Sequence, residues 1–187
     1  MPNLQVTLWC KAGSRSSITK GSKPAANTQQ PTAQQTLPEM IYPGKLQEII
    51  ATFEPLCEEE RRENLVNFAL GAGKWEPAGN ENFDIEDIRK DEQCIDTVGI
   101  HLRVEANRAE FRITLGPNLR TMTRAMTTIL CQGLDNCDVD EILRLQEDFI
   151  EKIVGTPLVT QRGRTIYYIF YRMKDALEAY LEHHQTS

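Results

Sequence analysis

Apolar and polar positions along the chain fall into blocks with different periods. In KLQEIIATFEPL, Leu46, Ile49, Ile50 and Phe53 recur at helical spacing, which predicts a helix beginning near Pro43 and closed by Pro55. A second helix is predicted from about Glu58 to Leu70, with Leu65, Phe68 and Ala69 turned inward and Gly71 and Gly73 ending it. Residues from Trp75 to Asp91 read as a loop, because they combine Pro77, Gly79, two asparagines and many acids. The period then changes to two. Val98, Ile100, Leu102 and Val104 share one face of a predicted strand, while Thr97, Gly99, His101 and Arg103 share the other. Glu105-Ala-Asn-Arg108 can turn the chain into a second strand carrying Phe111, Ile113 and Leu115. The expectation is an antiparallel hairpin with one buried face.

Helical spacing returns after the hairpin. Gly116-Pro117-Asn118 can open a helix whose inner face holds Leu119, Met122, Met126, Ile129, Leu130 and Gly133. Asp138-Val-Asp-Glu141 has capping-box spacing ahead of Ile142 and Leu143, and Phe149 and Ile150 fall in a further helical turn or two. The last helix keeps the strongest stripe: Ile166, Ile169, Phe170, Met173, Leu177 and Tyr180. Two helices, a hairpin and then helices predict an α+β fold, a small antiparallel sheet with helices packed on one face.

Composition changes the picture at the N-terminus. Residues 1–42 are rich in Ser, Thr, Gln, Ala and Pro without apolar periodicity, and are read as a disordered tail. The stretch 1–38 holds Lys11, Arg15, Lys20 and Lys23 and no acid, which also fits a transit peptide. The folded domain is assigned to 43–187. From Glu39 onward 17 basic residues face 27 acids, a balance of -10, and such a body repels phosphate backbones, so nucleic acid is not the expected partner. No apolar run is long enough to span a bilayer. The chain has 5 cysteines without a CxxC pair and shows no secretory signal. It is therefore read as a soluble intracellular protein with free thiols, either cytoplasmic or, with a transit peptide, in a plastid or other organelle.

Candidate chemistry is sparse. No GxSxG, GxxxxGKS or HExxH occurs, and the acids of 81–92 form a run of the kind that is usually solvated. His101 falls on the polar face of its strand, and His183 and His184 lie at the chain end. What remains is thiol chemistry. Cys57 and Cys131 follow leucines and are expected to be packed or half-buried, and Cys137 is expected in a turn. Cys94, in KDEQCIDTVGIHLRV, lies where a charged loop meets a strand, so it can serve as filler, as a structural contact or as a nucleophile.

The order of elements and several short motifs resemble the SufE family, proteins that accept sulfur from cysteine desulfurases. Arg62-Arg-Glu-Asn-Leu-Val-Asn-Phe-Ala-Leu70 looks like that family's helix before its loop. Gln93-Cys94-Ile-Asp-Thr-Val98 stands where the family has Gly-Cys-x-Ser-Gln-Val, with Cys94 in the acceptor position. Met122 to Leu134 resembles the helix carrying Leu-x-Lys/Arg-Gly-Leu, and Asp138 to Ile150 resembles Pro-x-Glu-Ile…Asp-Phe-x-x-x-Leu. Leu158-Val-Thr-Gln-Arg162 is similar to the family's Leu-Thr-Pro-Ser-Arg, with Arg162 keeping the motif arginine. The resemblance covers Pro43 to Leu181. It departs from the family at Gln93, Asp96-Thr97, Pro117-Asn118-Leu119 and, in place of Ser-Arg-x-x-Gly, Gln161-Arg162-Gly163-Arg164-Thr165, and the hairpin is about three residues longer.

The resemblance implies a SufE/IscU-like α+β fold and a sulfur carrier for iron–sulfur cluster assembly. Its partner would be a pyridoxal-phosphate cysteine desulfurase, and it would need no cofactor of its own. Cys94 would take the sulfur as a persulfide, and Arg162 or Arg124 would supply the positive charge that favours the thiolate. Asp91, Glu92 and Asp96 oppose that charge. Two other readings stay open. One is a SufE-like interaction module that has lost sulfur transfer. The other is a cluster scaffold, which would require Cys94, Cys131 and Cys137 to converge.

Overall fold

The computed structural model describes residues 42–90 and 96–185, apart from the side chains of 161, 162 and 185. Four strands form one antiparallel sheet in the order β1 (Ile85–Arg89), β2 (Val98–Glu105), β3 (Arg108–Leu115), β4 (Cys137–Asp138). The helices are α1 (Gly44–Phe53), α2 (Glu58–Leu70), α3 (Thr121–Leu134), α4 (Val139–Arg144), α5 (Asp148–Val154), α6 (Thr156–Arg162) and α7 (Arg164–Gln185). Helices packed against a small antiparallel sheet make the fold α+β.

The expected hairpin is present. Ala106 and Asn107 both adopt positive φ, 49° and 63°, the pairing that a tight two-residue turn needs to match the twist of its strands. Val98, Ile100 and Leu102 lie buried on the helix side beside Ala109, Phe111 and Ile113. The expectation of a solvated opposite face is not met. Gly99 and His101 are buried as well, since β1 pairs along β2 and Phe83 packs at a tilt on the His101 ring, with centroids 5.1 Å apart. His101 is therefore not a solvated residue: its Nε2 lies 2.9 Å from Thr114 Oγ1.

β1 corrects the reading of Trp75–Asp91 as loop. The sequence IEDIR has no apolar alternation, because an edge strand is held by main-chain pairing on one side and exposes Ile88 on the other face. Glycine is required nearby for a different reason, close approach: a Cβ on Gly99 would meet Ile88, His101 and Thr114 at 3.2 Å each.

α3 is the central element, in contact with α1, α2, β3 and α7. Ten of its fourteen residues are buried, including Thr127 and Thr128, whose hydroxyls donate to main-chain carbonyls one turn back. Its single expected inner face is thus wrapped almost all round. It also begins at Thr121, later than Gly116-Pro117-Asn118 suggested. Asp138 does cap α4, accepting from the Asp140 amide at 3.0 Å. Arg61 on α2 closes the end of α5, donating to the carbonyls of Lys152 and Ile153, and Gly155 (φ 87°) turns the chain into α6. Ile166, Ile169, Phe170, Met173 and Leu177 of α7 are all buried, as their stripe predicted.

Candidate functional site

β1 and β2 are consecutive strands, and Arg89 pairs directly with Val98. The connection between them, residues 90–97, therefore leaves and re-enters the sheet at one point. Cys94 lies in this connection, at a position outside the described residues. Arg162 ends α6, and its side chain is likewise outside them. What the structure describes is the frame on both sides of these two positions.

That frame is built around Arg172, which is 1% exposed and heads the fully buried side chains by volume. From α7, its Nε donates to Asp87 Oδ2 at 2.7 Å, and its Nη2 donates to the Asp87 carbonyl at 2.8 Å and the Val98 carbonyl at 3.0 Å. Asp87 Oδ1 also lies 3.2 Å from Arg89 Nε, so one carboxylate serves two guanidinium groups. Tyr168 sits one helical turn before Arg172, with the guanidinium carbons of Arg89 and Arg172 both 5.9 Å from its ring centroid. A buried guanidinium is costly unless its donors are satisfied, and hydrophobic replacements often stabilise as well or better. Here it fixes the end of β1 and the start of β2 against one helix. The sequence held a signal for it: Arg172 falls between Ile169 and Ala176 on the flank of the apolar stripe of α7, where a charge needs a partner.

The second half of the frame is Asp96. Its Oδ1 accepts from the Thr97 amide and its Oδ2 from the Asn118 amide, each at 2.8 Å. These amides, Asn118 first, hold its carboxyl below the usual carboxylate range, with the Lys90 ammonium acting in the same direction. Gly116 makes the approach possible, because a Cβ there would lie 2.3 Å from Asp96 Cγ. On the far side of the same loop, Arg124 donates through Nη2 to the Gly116 carbonyl at 2.8 Å and through Nε to the Leu119 carbonyl at 3.3 Å. Arg124 is thus a main-chain brace for the loop after β3.

The described charges at this corner are Arg89, Lys90 and Arg172 against Asp87 and Asp96. With Asp91 and Glu92 of the connection counted, three basic residues face four acids, so a thiolate at position 94 needs a cation from elsewhere.

The described cysteines have other surroundings. Cys131 is wholly buried in α3, and burial pushes its thiol far above the ordinary range. Cys137 is not in a turn but in β4, where its Sγ lies 3.6 Å from the Gly133 carbonyl and burial pushes it up to about 11. Cys57, expected to be packed or half-buried, is exposed at the N-cap of α2, where its amide donates to Glu60 Oε2 at 3.0 Å. Among the described residues no group of three or more His, Cys, Asp or Glu side chains converges as a metal site would require, and no helix is long and apolar enough to cross a membrane.

No family model matches the chain, and no curated protein matches it. Among solved structures, the solution structure of a hypothetical protein from Thermus thermophilus superposes with a TM-score of 0.59 at 19% identity. The match covers 76% of this chain and 99% of that one. The likeness is one of fold.

Proposed function

We propose that this protein accepts persulfide sulfur from a pyridoxal-phosphate cysteine desulfurase on Cys94 and carries it toward iron–sulfur cluster assembly. The observation that carries the reading is a shared corner of the fold. Tyr168, in the first turns of α7, lies beside Arg89 at the end of β1, and α7 follows α6 directly after Gly163. The two positions singled out by motif, 94 and 162, are therefore tethered to neighbouring elements although far apart in sequence.

The chemistry is a thiol exchange. The Cys94 thiolate attacks the outer sulfur of the desulfurase persulfide. The S–S bond breaks, the desulfurase cysteine leaves as a thiolate, and the outer sulfur stays on Cys94 as a new persulfide. The electron pair of the broken bond leaves with the desulfurase cysteine, so no external oxidant or reductant is needed. The step requires a thiolate; Asp91 and Glu92 beside Cys94 oppose one, so the motif cation Arg162 and the docked desulfurase are what would favour it. Asp96 opposes it less than its charge suggests, since both its oxygens accept main-chain hydrogen bonds.

The test is desulfurase turnover, followed as alanine released from cysteine. Wild-type protein raises the rate, Cys94→Ser does not, and Arg162→Ala raises it less than wild type. Equal stimulation by wild type and Cys94→Ser would remove sulfur acceptance. Stable binding of the desulfurase without stimulation would favour the interaction-module reading.

A further inference from the structure

The outer face of α2 carries an unusual order of side chains. Glu59, Glu63, Val66 and Leu70 recur at four-, three- and four-residue steps, so they lie along one stripe, and Lys74 follows just beyond the helix end. All five are exposed; Leu70 is 81% and Val66 46% accessible, the first and third largest exposures among the exposed large hydrophobics. Two such residues a turn apart on one helix make a patch rather than a scattered pair. None of Glu59, Glu63 and Lys74 takes part in an ion pair among the described residues.

Directly beside this stripe is a cleft of about 250 Å³. Phe68 and Trp75 supply its aromatic surface, Asn67 and Gln132 its amides, and Lys74 its cationic side. An exposed leucine knob thus adjoins a partly apolar hole on the same face. Acid, apolar and basic positions follow one another along the stripe. A second identical stripe laid antiparallel brings acid to base at both ends and apolar residues together in the middle. This is the self-complementarity that a two-fold interface requires, one patch meeting itself.

We propose that the α2 face is a self-association surface on which a second copy of this chain docks antiparallel. Each Leu70 enters the mouth of the other copy's cleft, and each Lys74 faces the other copy's Glu59 and Glu63. A helix of 13 residues is about 20 Å long, so the contact belongs to the small class of interfaces and the dimer is weak, in the micromolar range or above.

Sedimentation velocity of the full chain, with reductant present and over a range from low micromolar to several hundred micromolar, tests this. The weight-average mass rises toward that of a dimer, and added salt reduces the association because the end contacts are ionic. Leu70→Glu stays monomeric at every concentration. Its thermal midpoint matches wild type, because the replaced side chain is largely in water. Lys74→Glu weakens the dimer several-fold, and adding Glu59→Lys and Glu63→Lys to it restores association. A wild-type chain that is monomeric throughout overturns the proposal, as does a dimer that Leu70→Glu leaves unchanged.

Discussion

Arg172 donates from the core of the protein to the main-chain carbonyl of Val98, at 3.0 Å, and to both the carbonyl and the carboxylate of Asp87. One helical side chain therefore holds the outgoing and returning strands of the β1–β2 hairpin at the end where their connection leaves the sheet. The connection carrying Cys94 springs from that end.

Removing the guanidinium leaves Asp87 without its shortest partner and two carbonyls without their donor. Arg172→Met is expected to cost about 3–5 kcal/mol of unfolding free energy, the range for breaking a buried pair. Asp87→Asn keeps an acceptor for Arg172 but loses the charge, and is expected to cost less. Urea unfolding followed by circular dichroism measures both. A loss below about 1 kcal/mol for Arg172→Met would show that the clamp does not hold the hairpin.

Gly116 and Asp96 form a coupled pair. Gly116→Ala places a methyl where the Asp96 carboxyl stands, so it forces the side chain away from the Thr97 and Asn118 amides; a cost of about 1–3 kcal/mol is expected for such overpacking. Asp96→Ala removes the obstacle, and the double substitution is expected to cost clearly less than the two single costs combined. Additive costs in a double-mutant cycle would mean that the two residues do not compete for this space.

Asp96 also sets a pH dependence. Its folded value lies below its unfolded one, near 3.9, so its contribution to stability is present above that pH. The contribution is lost as pH falls through the lower, folded value. Asp96→Asn is therefore expected to lose stability relative to wild type at neutral pH and to show a shallower fall in acid. Identical acid limbs for the two proteins would contradict the assignment of those two amide bonds.

Much of this architecture was legible in the sequence, and the reasons it was not legible elsewhere are physical. α1 and α7 followed from helical spacing because each buries one stripe, α2 followed from Leu65, which is buried, with Phe68 and Ala69 partly so, and the β2–β3 turn followed from the polar break at Glu105-Ala-Asn-Arg108. β1 escaped because its pairing is made by main-chain groups that leave no pattern in side-chain polarity. The burial of His101 escaped with it, since β1 and Phe83 cover that face. Of the candidate site, the motif pointed to positions 94 and 162 but not to Asp87 or Arg172, which meet only through tertiary contact. Arg124 was read as a charge for the thiol, yet carbonyls from a loop several residues upstream claim its donors.

The cysteines are expected to react in a fixed order. At pH 8, with Cys137 near 11 and Cys131 higher, roughly one thiol in a thousand or fewer is ionised at either position. Iodoacetamide applied to the native protein should modify Cys57 well before Cys131 or Cys137, as read by peptide mass mapping. Early modification of Cys131 would contradict its placement in the core. Cys131→Ser should weaken the fold by setting a hydroxyl among apolar neighbours, at a cost of about 1–3 kcal/mol, and leave sulfur acceptance intact.

The most direct measurement of the central claim is the mass of the protein after incubation with a cysteine desulfurase, cysteine and pyridoxal phosphate. A gain of one sulfur atom, located on Cys94 by peptide mapping, released by reductant and absent from Cys94→Ser, is the result predicted. An unchanged mass at Cys94 while the desulfurase turns over and binds the protein, or sulfur found on another cysteine in both wild type and Cys94→Ser, would contradict it.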